Sequence, residues 1–136
     1  MNLVEGLLKA DAAKAKEYAK GTFKSRRLAT VMGENKPVDV EIREIDMETI
    51  KNIQQYSMRK DGSIDRSKTL DANLMLVVQG VTNPDLTNSE LQKHFGACDA
   101  MDLANILFRF EATFLADEIV KLSNMQRADD EDTIKN

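Results

Sequence analysis

Asp61, Ser63 and Asp65 place side-chain oxygens at alternate positions, which is the spacing with which a calcium-binding loop begins. Such a loop needs glycine at its sixth position for a sharp turn and glutamate at its twelfth as a bidentate ligand. The chain has Arg66 and Ala72 at these two positions. The segment is therefore predicted to be an ordinary polar turn, and no metal site is predicted there.

His94 and Cys98 are four residues apart, and on an uninterrupted helix they would share one face suited to metal binding or nucleophilic catalysis. Gly96 lies between them and is expected to end the helix. A structural zinc site usually takes four Cys or His ligands, whereas the chain contains one of each. A cysteine hydrolase would also need an oriented histidine and an oxyanion hole, and neither can be located. A buried or cap-adjacent cysteine is favoured, and no catalytic or metal site is predicted.

Length and composition favour one compact domain in a soluble, cytosolic protein. The 136 residues are 42% hydrophobic, which suits a single core, and the six glycines are scattered singly, so no phosphate loop and no cofactor is predicted. No apolar stretch approaches the roughly 20 residues that span a bilayer, and Glu5 and Asp11 interrupt any signal-peptide core. Cys98 alone cannot form an internal disulfide, in agreement with a reducing compartment.

Charge is distributed unevenly along the chain. The first 36 residues hold eight Lys or Arg against four acidic residues, and the remainder holds 11 against 19. A basic segment can bind phosphate backbones, but only Tyr18 and Phe23 lie among these charges to stack on bases. This pattern disfavours nucleic acid as a partner and favours a solvated surface.

The N-terminal part is predicted to contain a helical segment and a β-hairpin. Residues 1–21 carry helix-forming residues whose apolar pattern weakens after Leu8, which indicates an exposed helix or a loose arm. Residues 22–32 are interpreted as extended, because β-branched and aromatic residues lie among charges. Residues 38–42 alternate apolar and charged side chains, as in a half-buried strand, and residues 33–37 have the composition of a turn.

Capping residues predict the helices that follow. Asp46 is expected to cap a helix, with Ile45 and Ile50 as its hydrophobic staple. A second helix begins near Ser67 and ends before Pro84. Its predicted buried stripe consists of Leu70, Leu74, Val77, Val78 and Val81.

Thr87 and Glu90 have the spacing of a capping box for a short helix that Gly96 would end. Asp99 is expected to start the last long helical element, with a break or bend near 108–111 because the phase of the apolar stripe is unclear there. The acidic run within residues 126–136 is interpreted as a solvated tail. The predicted fold is thus α+β and mostly helical, with an N-terminal β-hairpin packed on about four to five helices in a single domain over residues 22–125.

Apolar side chains on the last helical elements are the candidate partner-binding residues. Adaptable methionines are common on protein-binding surfaces. The aromatic cluster has more rings than one buried stripe needs, so part of it is a candidate surface, the alternative being a helix buried on two faces. The candidates are Phe108, Phe110, Phe114, Met101 and Met125.

The order of these features resembles the XkdN-like phage tail assembly chaperones. The resemblance covers residues 3–125 and rests most on Gly80-Val81, on Asn83-Pro84-Asp85-Leu86, on Phe95-Gly96-Ala97 and on Leu-Ala-Asp-Glu-Ile-Val-Lys-Leu-Ser at 115–123. Before Glu111 this family often carries a Leu-Pro-Gly-like helix start, whereas this chain has Phe108-Arg109-Phe110.

The resemblance implies a non-catalytic protein of a tailed bacteriophage or prophage. Its implied partners are the tape measure protein and possibly the tail tube protein, in the host bacterial cytoplasm and not in the mature virion. Self-association is also open. Two alternatives remain at this point: a structural tail component retained in the virion, and a small phage regulatory or nucleic-acid-binding protein that uses the basic first 36 residues.

Overall fold

The structure of the protein is a computed structural model that describes residues 2–135, with the side chains of residues 2–123. The strands are β1 (Lys20–Ser25), β2 (Val38–Arg43) and β3 (Val81–Asn83). The helices are α1 (Leu3–Lys9), α2 (Ala12–Ala15), α3 (Arg26–Met32), α4 (Met47–Tyr56), α5 (Thr69–Gly80), α6 (Ser89–His94), α7 (Ala100–Phe108) and α8 (Glu111–Lys135), with a short 3-10 turn at Arg66–Lys68. The predicted class, α+β and mostly helical, is confirmed.

The three strands form an antiparallel sheet in the order β1-β2-β3. On β2, Val40 and Ile42 are buried while Asp39 and Glu41 are exposed, which is the alternation that the sequence predicted for a half-buried strand. The third strand, β3, was not predicted, because it is three residues long and depends on pairing with β2.

The connection between the first two strands differs from the predicted hairpin. β1 and β2 do pair antiparallel, but the seven-residue helix α3 joins them instead of a tight turn. Ser25 caps this helix, since its Oγ accepts a hydrogen bond from the backbone N–H of Leu28 at 3.0 Å. Gly33 ends it with a φ of 73°. The extended interpretation of residues 22–32 is therefore wrong beyond Ser25, because the cap and the burial of Leu28 outweigh weak local propensity.

α5 supplies much of the core, since it packs against α4, α7 and α8. Leu74 and Val77 are buried as the stripe predicted, whereas Val78 is half-buried and Leu70 is exposed at the first turn. The helix ends at Gly80 and not next to Pro84 as predicted, so Val81 is buried as the first residue of β3. A Cβ atom added at Gly80 would lie 2.6 Å from two atoms of Ile119, so glycine is what allows α8 to pack closely on this end of α5. The largest fully buried side chains are Phe108, Leu103, Leu115, Ile119, Val40 and Val77.

The caps confirm some helix starts and correct one. Asp46 caps α4 by accepting from Thr49 N–H at 3.2 Å, as predicted. Helix α6 begins one residue later than predicted, because Asn88 accepts from Leu91 N–H at 2.9 Å. The predicted capping box at Thr87 is wrong, since Thr87 instead donates to the Asp85 carboxylate.

The two ends of the chain lie outside the sheet and the central helices. Residues 2–20 are exposed throughout and include the short helices α1 and α2, which favours the exposed helix over the loose arm. The predicted acidic tail at 126–136 lies beyond the described side chains, and the proposed domain limits stay predictions. Within the described residues, no helix has the length and apolar character needed to cross a membrane.

Candidate partner-binding surface

The break predicted near 108–111 is confirmed as a sharp corner between α7 and α8. Helix α7 ends at Phe108, and Arg109 follows with φ 51° and ψ −124°, a left-handed conformation that is costly for a residue with a Cβ atom. Its N–H still donates to the carbonyl of Asn105 at 3.0 Å. Helix α8 then begins at Glu111. The helical conformation is therefore interrupted for two residues, Arg109 and Phe110.

Glu111 fixes this corner to the start of α3. Its carboxylate accepts a hydrogen bond from the Ser25 hydroxyl at 2.6 Å and from the backbone N–H groups of Arg26 at 3.0 Å and Arg27 at 3.3 Å. A carboxylate at the N-terminus of a helix meets unpaired N–H donors and the positive end of the helix dipole. Ser25 is fully buried, so its side of the bond to Glu111 is shielded from water, whereas the bond from the Arg26 N–H is exposed.

A second bond joins the same elements. The Arg27 guanidinium donates through Nη2 to the carbonyl of Ile106, in the last turn of α7, at 3.4 Å. A cation near the C-terminal end of a helix is favourable for the dipole of that helix. Through Arg27 and Glu111, α3 holds both sides of the α7–α8 corner.

The corner separates the three candidate phenylalanines. Phe108 has 0% of its surface exposed, so its prediction as a partner-binding residue is wrong, because it points into the core at the end of α7. Phe110 is 90% exposed and Phe114, one helical turn later, is 65% exposed. These two residues form what we call the corner patch. The alternative of a helix buried on two faces does not hold for either ring.

Met101 lies at the other end of α7, in a different environment. It is half-buried and lines a groove of about 420 Å³ that runs between α4 and α5, which we call the α4–α5 groove. The remaining lining residues are Thr49, Asn52, Ile53, Tyr56, Met75, Val78 and Gln79. Helix α7 is nine residues long, or about 13 Å, so Met101 is not part of the corner patch. The side chain of Met125 lies outside the described residues.

Sequence analysis missed a further apolar surface on α1. Leu3, Val4, Leu7 and Leu8 are between 66% and 81% exposed, and none of the residues of α1 is buried. Their spacing of one and four residues places them on one side of a helix, which was the available signal. This pattern lasts only two turns, which is too short to predict a binding surface from the sequence alone.

The residues that suggested metal or nucleophile chemistry lie in ordinary turns. The Asp61 carboxylate accepts from both the N–H and the hydroxyl of Ser63, and these bonds lower the pKa of Asp61. Asp65 bonds to Ser67 in the same way, with its pKa lowered for the same reason. His94 ends α6 with its ring edge against Phe95, and Cys98 is exposed beyond Gly96. Among the described residues, no three His, Cys, Asp or Glu side chains are grouped as metal ligands.

The fold and the exposed apolar residues define a small α+β protein whose surface features suit contacts with other proteins. The chain belongs to the family of phage XkdN-like tail assembly chaperones, whose family model matches residues 4–135. The match extends the resemblance seen in the sequence to nearly the whole chain. No curated protein and no solved structure matches the chain.

Proposed function

We propose that this tail assembly chaperone is non-catalytic and binds the tape measure protein of its phage through the corner patch. The observation that carries the proposal is the exposure of Phe110 and Phe114 at a corner that hydrogen bonds join to α3. Large aromatic side chains on a preorganised surface are the residues that most often dominate binding energy. Truncating either ring is therefore expected to weaken binding more than truncating other exposed residues.

The geometry of the patch suits a helical partner. A tape measure protein is a long helical chain with apolar stripes, and two rings one helical turn apart can insert between the side chains of such a stripe. Each contact of this kind is weak, so several copies of the chaperone along one partner would provide avidity and still allow release. Release agrees with a protein that acts in the host cytoplasm and leaves the finished tail.

The basic N-terminal segment gives less support to nucleic acid binding. Within the first 36 residues, Lys24 forms an ion pair with Asp39 at 3.0 Å. Arg27 is turned towards α7. Cations that contact groups of their own chain contribute less to phosphate binding, which usually needs a basic face.

Co-expression with the tape measure protein of the same phage tests the proposal. The wild-type chain should keep the tape measure soluble and co-purify with it, and Phe110→Glu combined with Phe114→Glu should abolish both effects. Ile64→Glu is the matched control, because Ile64 is an apolar side chain of similar exposure, 63%, in a loop outside the patch. Co-purification that survives the double substitution would exclude the corner patch, and an insoluble tape measure with the wild-type chain would exclude the function. Detection of the chain in purified virions would favour a structural tail component instead.

A further inference from the structure

Helix α1 has an apolar side with no partner in the single chain. Its start is well formed, because the side-chain oxygen of Asn2 accepts from the N–H groups of Val4 at 3.0 Å and Glu5 at 3.3 Å. A seven-residue helix is far below the length that is stable alone in water, roughly 12–15 residues. Four exposed apolar side chains on so short a helix indicate that another surface normally covers them.

The α4–α5 groove is an apolar surface of matching character. Ile53 forms its floor, and Tyr56, Met75, Val78 and Met101 are partly exposed along its sides. Methionines adapt to side chains of different shape, and a groove between two helices is a common site for an amphipathic helix. Its lining contains the uncharged polar residues Asn52 and Gln79, and the Lys68 ammonium lies over the Tyr56 ring, 5.2 Å from its centroid, so a docked helix would meet one cation at that side of the groove.

We propose that α1 of one copy docks in the α4–α5 groove of a second copy, and that the exchange is reciprocal and gives a two-fold dimer. The arm leaves the domain from a fixed point, since Arg43 stacks on Tyr18 and the Glu44 side chain accepts from Ala19 N–H at 2.8 Å. Residues 10–17 join α1 to that point and include α2, whose four residues rise about 6 Å, while the other four can extend over about 14 Å. The connection therefore spans at most about 20 Å, which allows α1 to reach a molecule packed against this one.

The area involved favours reciprocal exchange over one docked arm. Burying a Leu or Val side chain removes about 60–120 Å² of apolar surface from water. With the exposed fractions of the four side chains, one arm and the groove surface that it covers would bury roughly 340–690 Å² in total, which is the size of a crystal contact. Two arms in a closed dimer would bury roughly 690–1,370 Å², and the upper part of this range reaches the lower limit of specific interfaces.

Analytical ultracentrifugation of the full chain over a range of concentrations tests the dimer. The wild-type chain is expected to dimerise, and Leu7→Glu combined with Leu8→Glu is expected to raise the dissociation constant at least tenfold. Both leucines are exposed in the single chain, so the substitutions leave its core intact, and Ile64→Glu is again the control. A wild-type chain that stays monomeric, or a dimer that the α1 substitutions do not weaken, would overturn the proposal.

Cross-linking tests which surface α1 occupies. On a Cys98→Ser background, a chain with Leu8→Cys is mixed with a chain with Asn52→Cys and oxidised, and the disulfide-linked peptides are identified by mass spectrometry. The expected product joins position 8 of one chain to position 52 of the other, and it should disappear when Leu7→Glu is added to the first chain. A dimer without this linkage would place the interface elsewhere and overturn the proposal. Neither experiment contains the tape measure protein, so the outcome is independent of the function proposed above.

Discussion

At the scale of single residues, Gly80 sets how closely α8 approaches α5. Gly80→Ala is expected to lower the free energy of unfolding by about 1–3 kcal/mol, because the added Cβ would overlap Ile119 in the core. This loss should exceed the helix propensity that alanine gains over glycine, about 1 kcal/mol. Urea unfolding followed by circular dichroism measures the change.

A matched control is available for this substitution. Gly6 also lies in a helix, but a Cβ atom there meets no other atom within 4 Å, so Gly6→Ala should leave the unfolding midpoint unchanged or slightly higher. Ile119→Ala should cost less in the Gly80→Ala background than in the wild type, because the overlap has been removed. Equal effects of the two glycine substitutions would contradict the close approach.

Arg109 carries backbone strain that a glycine would relieve. Its φ of 51° with ψ −124° is expected to cost about 1–3 kcal/mol for a residue with a Cβ atom. Arg109→Gly should therefore raise the free energy of unfolding by about 1 kcal/mol, after subtraction of the greater entropy that glycine has in the unfolded chain. Asn105→Gly, in the regular part of α7, should lower it by roughly 0.3 kcal/mol. A destabilised Arg109→Gly variant in urea unfolding would contradict the strained corner.

At the scale of elements, Glu111 connects the first turn of α8 to the first turn of α3. Glu111→Gln is expected to lower the free energy of unfolding by about 1–3 kcal/mol, since an amide oxygen cannot replace a carboxylate that accepts three hydrogen bonds. Ser25→Ala should cost about as much, because its hydroxyl also caps α3. Glu118→Gln, on the exposed side of α8, is the control for the loss of one charge.

The double variant of Ser25→Ala and Glu111→Gln shows whether the two residues stabilise the fold through a shared contact or separately. The quantity compared is the loss in free energy of unfolding. If Ser25 and Glu111 act through the bond that joins them, the double variant should be less destabilised than the sum of the single variants. Strictly additive losses in urea unfolding would indicate that each residue stabilises only its own helix. The bond at 2.6 Å would then contribute little to joining α3 and α8.

The elements that the sequence predicted well are those with local signals. Asp46 and Gly96 mark helix ends by capping, and Leu74 and Val77 mark a face by periodicity. Helix α3 was missed because residues 22–32 have mixed propensity, and its start depends on Ser25 and on Glu111, which is 86 positions away. A contact at that separation has no local signal. The strand β3 was missed for the same reason, since pairing with β2 defines it.

The candidate surface could be predicted only in part. The sequence indicated an excess of aromatic rings, but the side of the helix on which each ring lies depends on the phase change at Arg109. The sequence predicted that part of the cluster is exposed without saying which rings, and in the structure Phe108 is fully buried while Phe110 and Phe114 are exposed. On α1 the four apolar positions were visible, but only the tertiary structure reveals that none of them is covered by its own chain.

At the scale of the whole molecule, stability is expected to fall in acid. Asp46, Asp61, Asp65 and Asp85 each accept hydrogen bonds from the side chain and backbone of a residue two or three positions later. These bonds lower the pKa of all four carboxyl groups from their ordinary value of 3.8. A lowered pKa in the folded state means that the unfolded chain binds protons more readily. The stabilisation is therefore complete well above pH 3.8 and is lost as the pH falls below that value.

Replacing the four aspartates by asparagine isolates this contribution. Asparagine keeps an acceptor oxygen for the cap or turn but does not titrate, so the variant should lose less stability than the wild type between pH 5 and pH 3. The measurement is the urea midpoint at intervals across that range, with the wild type and variant compared at each pH. Parallel profiles would assign the acid sensitivity to other groups. A shallower profile for the variant would assign the acid sensitivity to the caps and turns that the four aspartates form. Acid would then weaken several connections between elements and leave the apolar core unchanged.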